Sequence, residues 1–165
     1  MSRLTRTAAP AVLMAALALV LAGCAASTAT PEASSTPACE VHVVVNFGVL
    51  DAKPIKKCVA AGPATDVLAA AKITLKGTDD YGDQVICRVN NEPSPKETVT
   101  IKGTAPFVES CKTLNAAAYW ALWVKSSATG AWEYAQEGAT TLKLTSGQSL
   151  GLVYTPGADS TPPQD

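Results

Sequence analysis

The chain is short of the residues on which most enzymes rely. Its single histidine is His42, so any Ser-His-Asp or Cys-His arrangement would have to run through that one position. His42 lies in a β-branched run, where a half-exposed strand side chain accounts for it without chemistry. No Cys-x-x-Cys pair occurs, and with one histidine this argues against a zinc site. Charged residues make up only 16% of the chain, with a net charge of -1. Without a basic stripe, nucleic acid is a poor partner. Asp79, Asp80 and Asp83 do not follow the alternating-ligand spacing of an EF-hand, and turn formation explains them. No constellation of catalytic roles can be assembled, so the expectation is a non-enzyme with no cofactor and no metal.

A membrane-spanning run is also missing. The longest apolar stretch, from about Ala8 to Ala22, follows Arg3 and Arg6 and falls short of the roughly 20 residues a span needs. A basic start, a short apolar stretch and small residues at its end make a secretory signal peptide. Its end, Leu21-Ala22-Gly23-Cys24, resembles a lipobox. That resemblance implies a diacylglyceryl group on the Cys24 thiol and cleavage before Cys24. Residues 1–23 are then a lipoprotein signal peptide, and the protein is held by lipid on the extracytoplasmic face of the cell membrane. Acyl chains contribute about 0.8 kcal/mol per buried methylene, and two chains give stable anchoring where one does not. A conventional signal peptide and a retained anchor are the alternatives.

Four cysteines follow Cys24: Cys39, Cys58, Cys87 and Cys111. An even number in an exported chain suggests two disulfides, with three possible connectivities. The favoured pairs are Cys39–Cys58 and Cys87–Cys111, each closing a loop of about 20 residues worth roughly 3 kcal/mol. Residues 24–38 carry the lipidated Cys24 and a Ser-, Thr-, Ala- and Pro-rich tether that cannot build a core. Residues 156–165 have the same character and read as a frayed tail. The folded domain is therefore 39–155.

Within that domain Val41 to Phe47 alternates toward one apolar face and reads as a strand. Ile55 to Val59 returns as its hairpin partner. A short helix follows over about Asp66 to Lys72, with Thr65 placed to cap it and Val67, Leu68 and Ala71 on one face. Later strands are expected at Ile73–Lys76, Val85–Val89, Thr98–Ile101, Ala118–Val124, Ala131–Tyr134, Thr141–Leu144 and Ser149–Tyr154. Many strands and one helix make a β-rich α+β domain.

The order of these features carries a resemblance. The strand Val41-His-Val-Val-Val-Asn-Phe-Gly48 precedes Lys57-Cys-Val59 and the helix Ala64-Thr-Asp-Val-Leu-Ala-Ala-Ala71. Then come Tyr81-Gly-Asp-Gln-Val-Ile-Cys-Arg-Val-Asn90, Ser110-Cys111, Ala118-Tyr-Trp-Ala-Leu-Trp123 and Trp132-Glu-Tyr134. Residues 39–155 thus resemble the DUF4430 group of secreted bacterial domains, which are similar to the C-terminal domain of transcobalamin. The resemblance implies a β-grasp-like sheet crossed by one helix, supports the cysteine pairing, and suggests a corrinoid-like ligand.

The aromatic residues bear most directly on function. In the strand 118–124, Trp120 and Leu122 face one way while Tyr119 and Trp123 face the other. One set can be core while the other, with Trp132 and Tyr134, lines a surface; packing on both sides is the competing account. Tyr119, Trp123, Trp132 and Tyr134 are the candidate ligand-binding residues. Two functions follow. One is a binding lipoprotein that captures a small molecule, which needs a concave pocket beside Trp123 or Trp132. The other is a surface module that binds another exported protein or an envelope polymer through a flat aromatic patch or a strand edge.

Overall fold

The computed structural model describes residues 39–157, 159 and 161–164. The signal peptide, Cys24 and the tether lie outside the described residues. No helix among the described residues is long and apolar enough to cross a membrane.

The chain opens with β1 (Val41–Asn46) and β2 (Ile55–Val59), an antiparallel pair in which Val41 faces Val59 and Val45 faces Ile55. Val41, Val43 and Val45 are buried on one face, as the alternation predicts. Gly48 turns the chain out of β1 at φ +58°, and a Cβ there would collide with the Tyr154 carbonyl oxygen. A side chain at this position is therefore excluded twice, by backbone conformation and by space.

β3 (Gly62–Pro63) and helix α1 (Ala64–Ala70) follow. The helix starts earlier than the sequence suggests. Pro63 occupies the cap position, no side chain caps the helix, and Thr65 sits in its first turn. The reason is tertiary: β3 pairs with β10 (Lys143–Leu144), and the Ala64 N–H donates to the Leu142 carbonyl at 2.9 Å. That bond gives a partner to one of the N–H groups that a helix start leaves open. At the other end Lys72 takes φ 63°, its N–H donates to Ala69 and the Ile73 N–H donates to Leu68. That is a Schellman closure with lysine where glycine is usual, and Ile73 is buried beside it.

β4 (Leu75–Thr78) and β5 (Gly82–Val89) form a second hairpin, and β6 (Thr98–Val99) pairs with β7 (Phe107–Val108). β8 (Ala118–Lys125), β9 (Trp132–Tyr134) and β11 (Ser149–Pro156) complete the main sheet. Its order is β2-β1-β11-β8-β9. β1 and β11 run parallel, and the other neighbours are antiparallel. The fold is β-rich α+β with one short helix and two disulfides, Cys39–Cys58 and Cys87–Cys111.

The inner face of the sheet carries Val41, Val43, Val45, Trp120, Leu150, Leu152 and Tyr154, packed with Val67 and Leu68 of the helix. Trp120 meets Phe47 edge-on at 5.4 Å and Tyr154 at a tilt, also at 5.4 Å. The excursion between β5 and β8 is held by polar groups as well as by apolar ones. Arg88, 4% exposed, donates from Nε to the Pro93 carbonyl, from Nη1 to Cys111 Sγ and from Nη2 to the Glu109 carbonyl, each at 2.7 Å. Buried Glu109 in turn accepts from the Cys111 N–H and from Asn115 Nδ2.

Replacing Arg88 by methionine keeps the bulk but leaves two buried carbonyls without a donor. Each orphaned group costs about 1–3 kcal/mol, so Arg88→Met is expected to lower stability in urea unfolding by about 3 kcal/mol. Arg88→Lys should restore little of it, because one ammonium cannot reproduce the guanidinium fork.

Candidate functional site

The outer face of the sheet, opposite the helix, is built by strand register. His42 lies beside Ser149, Ser149 beside Lys125 and Lys125 beside Trp132. The next row runs Val44, Gly151, Trp123, Tyr134, and the third Asn46, Val153, Ala121. Tyr119 follows on the same face beside Thr155. Successive outer residues of β8 and β9 therefore place all four aromatic residues singled out from the sequence on one surface, because side chains two apart share a face.

Two pairs define its geometry. Trp123 and Tyr134 stack with ring centroids 4.0 Å apart and planes 25° apart. Lys125 Nζ lies 5.6 Å from the centre of the Trp132 ring, within reach of a cation–π contact. The sequence reading left open which aromatic set is core, and both sets are packed. Trp120 belongs to the inner core, while Trp123, 5% exposed, forms a smaller cluster with Ala121 and Val153 against Tyr119 and Trp132. Tyr134 is the open edge of the group at 38% exposed. Trp123 Nε1 and Asn46 Oδ1, both on this face, are buried without a hydrogen-bond partner among the described residues.

Part of the cover comes from beyond the last strand. Composition reads residues 156–165 as frayed, yet Pro156 ends β11 and Pro163 is buried. A Cβ built on Gly151 would collide with Pro163 Cγ, and would lie 3.1 Å from Trp132 Cζ3 and 3.2 Å from Trp123 Cβ. The missing side chain of Gly151 is what lets the proline down onto the sheet beside the two tryptophans. A groove of about 440 Å³ lies alongside, bounded by Asn46, Val153 and Thr155 and by Asp159, Thr161 and Pro162. A second, of about 340 Å³, is lined by Tyr119, Ala121, Tyr134 and Gln136 among others. Neither has Trp123 or Trp132 in its lining.

The sequence missed Lys125, Asn46, Gly151 and Pro163 as parts of this face. One signal was available: an isolated glycine inside a strand marks a close approach, and Gly151 is such a glycine.

The remaining polar candidates lie elsewhere. His42 is exposed, with Nε2 4.0 Å from Cys58 Sγ. Cys39, His42 and Cys58 place their ligand atoms within 4.8 Å of one another. The two sulfurs are bonded to each other, and the thiolate that would ligate a metal or act as a nucleophile is absent from a disulfide. Asp79 and Asp80 belong to the β4–β5 turn, where their N–H groups donate to the carbonyls of Cys111 and Lys112.

Comparison of the chain with protein-family models, with curated proteins and with solved structures finds no match.

The Tyr134 phenol is pushed up to about 12, first by burial and then by its hydrogen bond and proximity to Tyr119, with Asp159 adding to the effect. Burial, with Glu109 and Glu97 nearby, also raises Tyr154. A phenol held neutral in the folded state stabilises it fully below the ordinary tyrosine value near pH 10, and that contribution is lost as pH climbs toward the folded value. Urea midpoints should therefore fall between about pH 10 and 12. In Tyr134→Phe the fall should be shallower, with the residual slope left by Tyr154; an unchanged slope would assign the whole effect to other groups.

Proposed function

We propose that this protein is a lipid-anchored extracytoplasmic binding module whose outer aromatic face contacts another exported protein or an envelope polymer. The observation that carries the reading is the flat group of Trp123 stacked on Tyr134 beside Lys125 over Trp132, set on the sheet face that the helix leaves open. Such rings give large contact area with little side-chain entropy to lose. β9, at the end of the sheet order and only three residues long, adds a strand edge next to the rings.

The capture of a small molecule, with a corrinoid as the suggested class, is the second reading. It calls for a concave pocket beside Trp123 or Trp132, and neither groove bordering this face has those residues in its lining. The β-grasp-like reading is supported by the parallel pairing of β1 with β11, the opening hairpin and one helix on the inner face. The two disulfides suit an oxidising exterior. The lipobox-like Leu21-Ala22-Gly23-Cys24 supports anchoring through Cys24.

Two measurements test these parts separately. Metabolic labelling with palmitate should mark the protein and be lost in Cys24→Ala; label that persists removes the anchor. A photo-crosslinking residue at position 134 should give a discrete adduct in cells, and the same residue at position 57, on the opposite edge, should not. Identical patterns at the two positions would refute the outer face as the contact. Titration of tryptophan fluorescence with cobalamin is expected to be flat, and a saturable change would restore the small-molecule reading.

A further inference from the structure

The outer face already holds a peptide, the chain's own. Pro163, from Thr161-Pro162-Pro163-Gln164, is buried over Gly151, where Trp132 Cζ3 and Trp123 Cβ also converge. The segment is preceded by a turn in which the Asp159 N–H donates to the Pro156 carbonyl at 2.8 Å. Asp159 Oδ1 then accepts from Thr161 N–H and Oγ1 at 3.0 and 2.6 Å. Prolines favour an extended conformation with little entropy to lose, and aromatic-lined grooves are the usual receivers of such segments. At Gly151 the proline ring takes the slot left by a missing side chain, next to the edge of the Trp132 indole and the Trp123 Cβ.

The fit of the resident segment is incomplete. Trp123 Nε1, on a side chain more than nine-tenths buried, is a donor without an acceptor among the described residues. Asn46 Oδ1, bordering the 440 Å³ groove beside Pro162, is an acceptor without a donor. An extended proline-containing backbone makes no internal hydrogen bonds and presents its carbonyls outward, the group an indole N–H requires. The native tail leaves both polar groups unmet.

From these features we propose that the outer face recognises an extended Pro-Pro segment of an exported partner, and that Thr161–Gln164 occupies the slot in cis as its competitor. The proposal rests on the outer face being an interaction surface and narrows the partner to one chemistry. A tethered competitor acts at an effective concentration near the millimolar range, so the free surface binds more tightly than the covered one.

The test uses the full chain and a synthetic decapeptide copying residues 156–165, Pro-Gly-Ala-Asp-Ser-Thr-Pro-Pro-Gln-Asp, read by tryptophan fluorescence. The double variant P162A/P163A should bind this peptide at least about tenfold more tightly than the unaltered chain. A control peptide with both prolines replaced by alanine should not bind. Adding Trp123→Phe, which keeps a stacked ring but removes the N–H, should cost the double variant at least about tenfold. Equal affinity of the variant and the unaltered chain, equal binding of the two peptides, or self-association of the variant that the peptide does not reverse would each overturn the proposal. If P162A/P163A loses its near-UV spectrum, Gly151→Ala replaces it: filling the slot should expose the tail to carboxypeptidase, and a tail that stays protected is a negative result. A cross-linked partner at position 134 that lacks any Pro-Pro segment ends this proposal and leaves the broader one standing. No partner at all ends both.

Discussion

The parallel pairing of β1 with β11 is the constraint on which the rest of the structure depends. It joins the first strand of the domain to its last, Val43 beside Leu150 and Val45 beside Leu152. Parallel neighbours cannot be linked by a hairpin, so somewhere between them the chain must leave the sheet and return. The helix, the β4–β5 hairpin and the β6–β7 pair are what that excursion contains. A pair at the centre of a sheet must also be covered on both faces. β11 shows it directly: Ser149 through Thr155 are all buried, inward and outward residues alike. The inner cover is the helix and the aromatic group at Trp120. The outer cover has to come from somewhere else, and that requirement brings Trp123, Tyr134 and Pro163 onto the opposite face.

The excursion itself has little to hold it. Its strands are short, and two of them contain only two residues each. Forming sequence-distant contacts carries a loop-closure cost, which the disulfides offset locally. Cys39–Cys58 fastens the edge strand β2 to the start of β1, and Cys87–Cys111 returns the segment after β7 to β5. Arg88, next in sequence to Cys87, then fixes three acceptors around that bridge. The pairing of β5 with β4 shifts register at Cys87, and from these adjacent positions the Cys87 sulfur and the Arg88 guanidinium both reach Cys111. The Ile86-Cys87-Arg88 element therefore reads as a fastening for this loop.

How much of this was legible in the sequence follows from which interactions are local. Alternation alone identified β1 and the two faces of β8, because a two-residue period needs no knowledge of partners. Cysteine spacing pointed to the two pairs, since each closes a short loop. What could not be read were features set by distant segments. The start of α1 is displaced from the Thr65 position because Leu142, far along the chain, takes the Ala64 N–H. β3 contains a glycine and a proline and has no strand signature; it exists through its pairing with β10. The aromatic residues were legible as a group, but not as two packed layers, because burial of the outer layer depends on Gly151 and on a proline outside the last strand.

That last point changes what the outer face can be. Trp123 was expected either packed or exposed as a platform, and it is packed, in a small cluster of its own. Its ring is stacked, its N–H is buried, and the terminal Pro163 packs near its Cβ over Gly151. Covers of this kind open at far lower free energy than the core they sit on. Inner-face residues such as Leu150 and Leu152 can be exposed only by unfolding the sheet. The tail can leave Gly151 with the β1–β11 pairing, both disulfides and the Arg88 contacts intact. The same central pair thus supports a face that is permanently closed and another whose closure is conditional, and the difference lies in whether the covering group belongs to the crossover or to the chain's end.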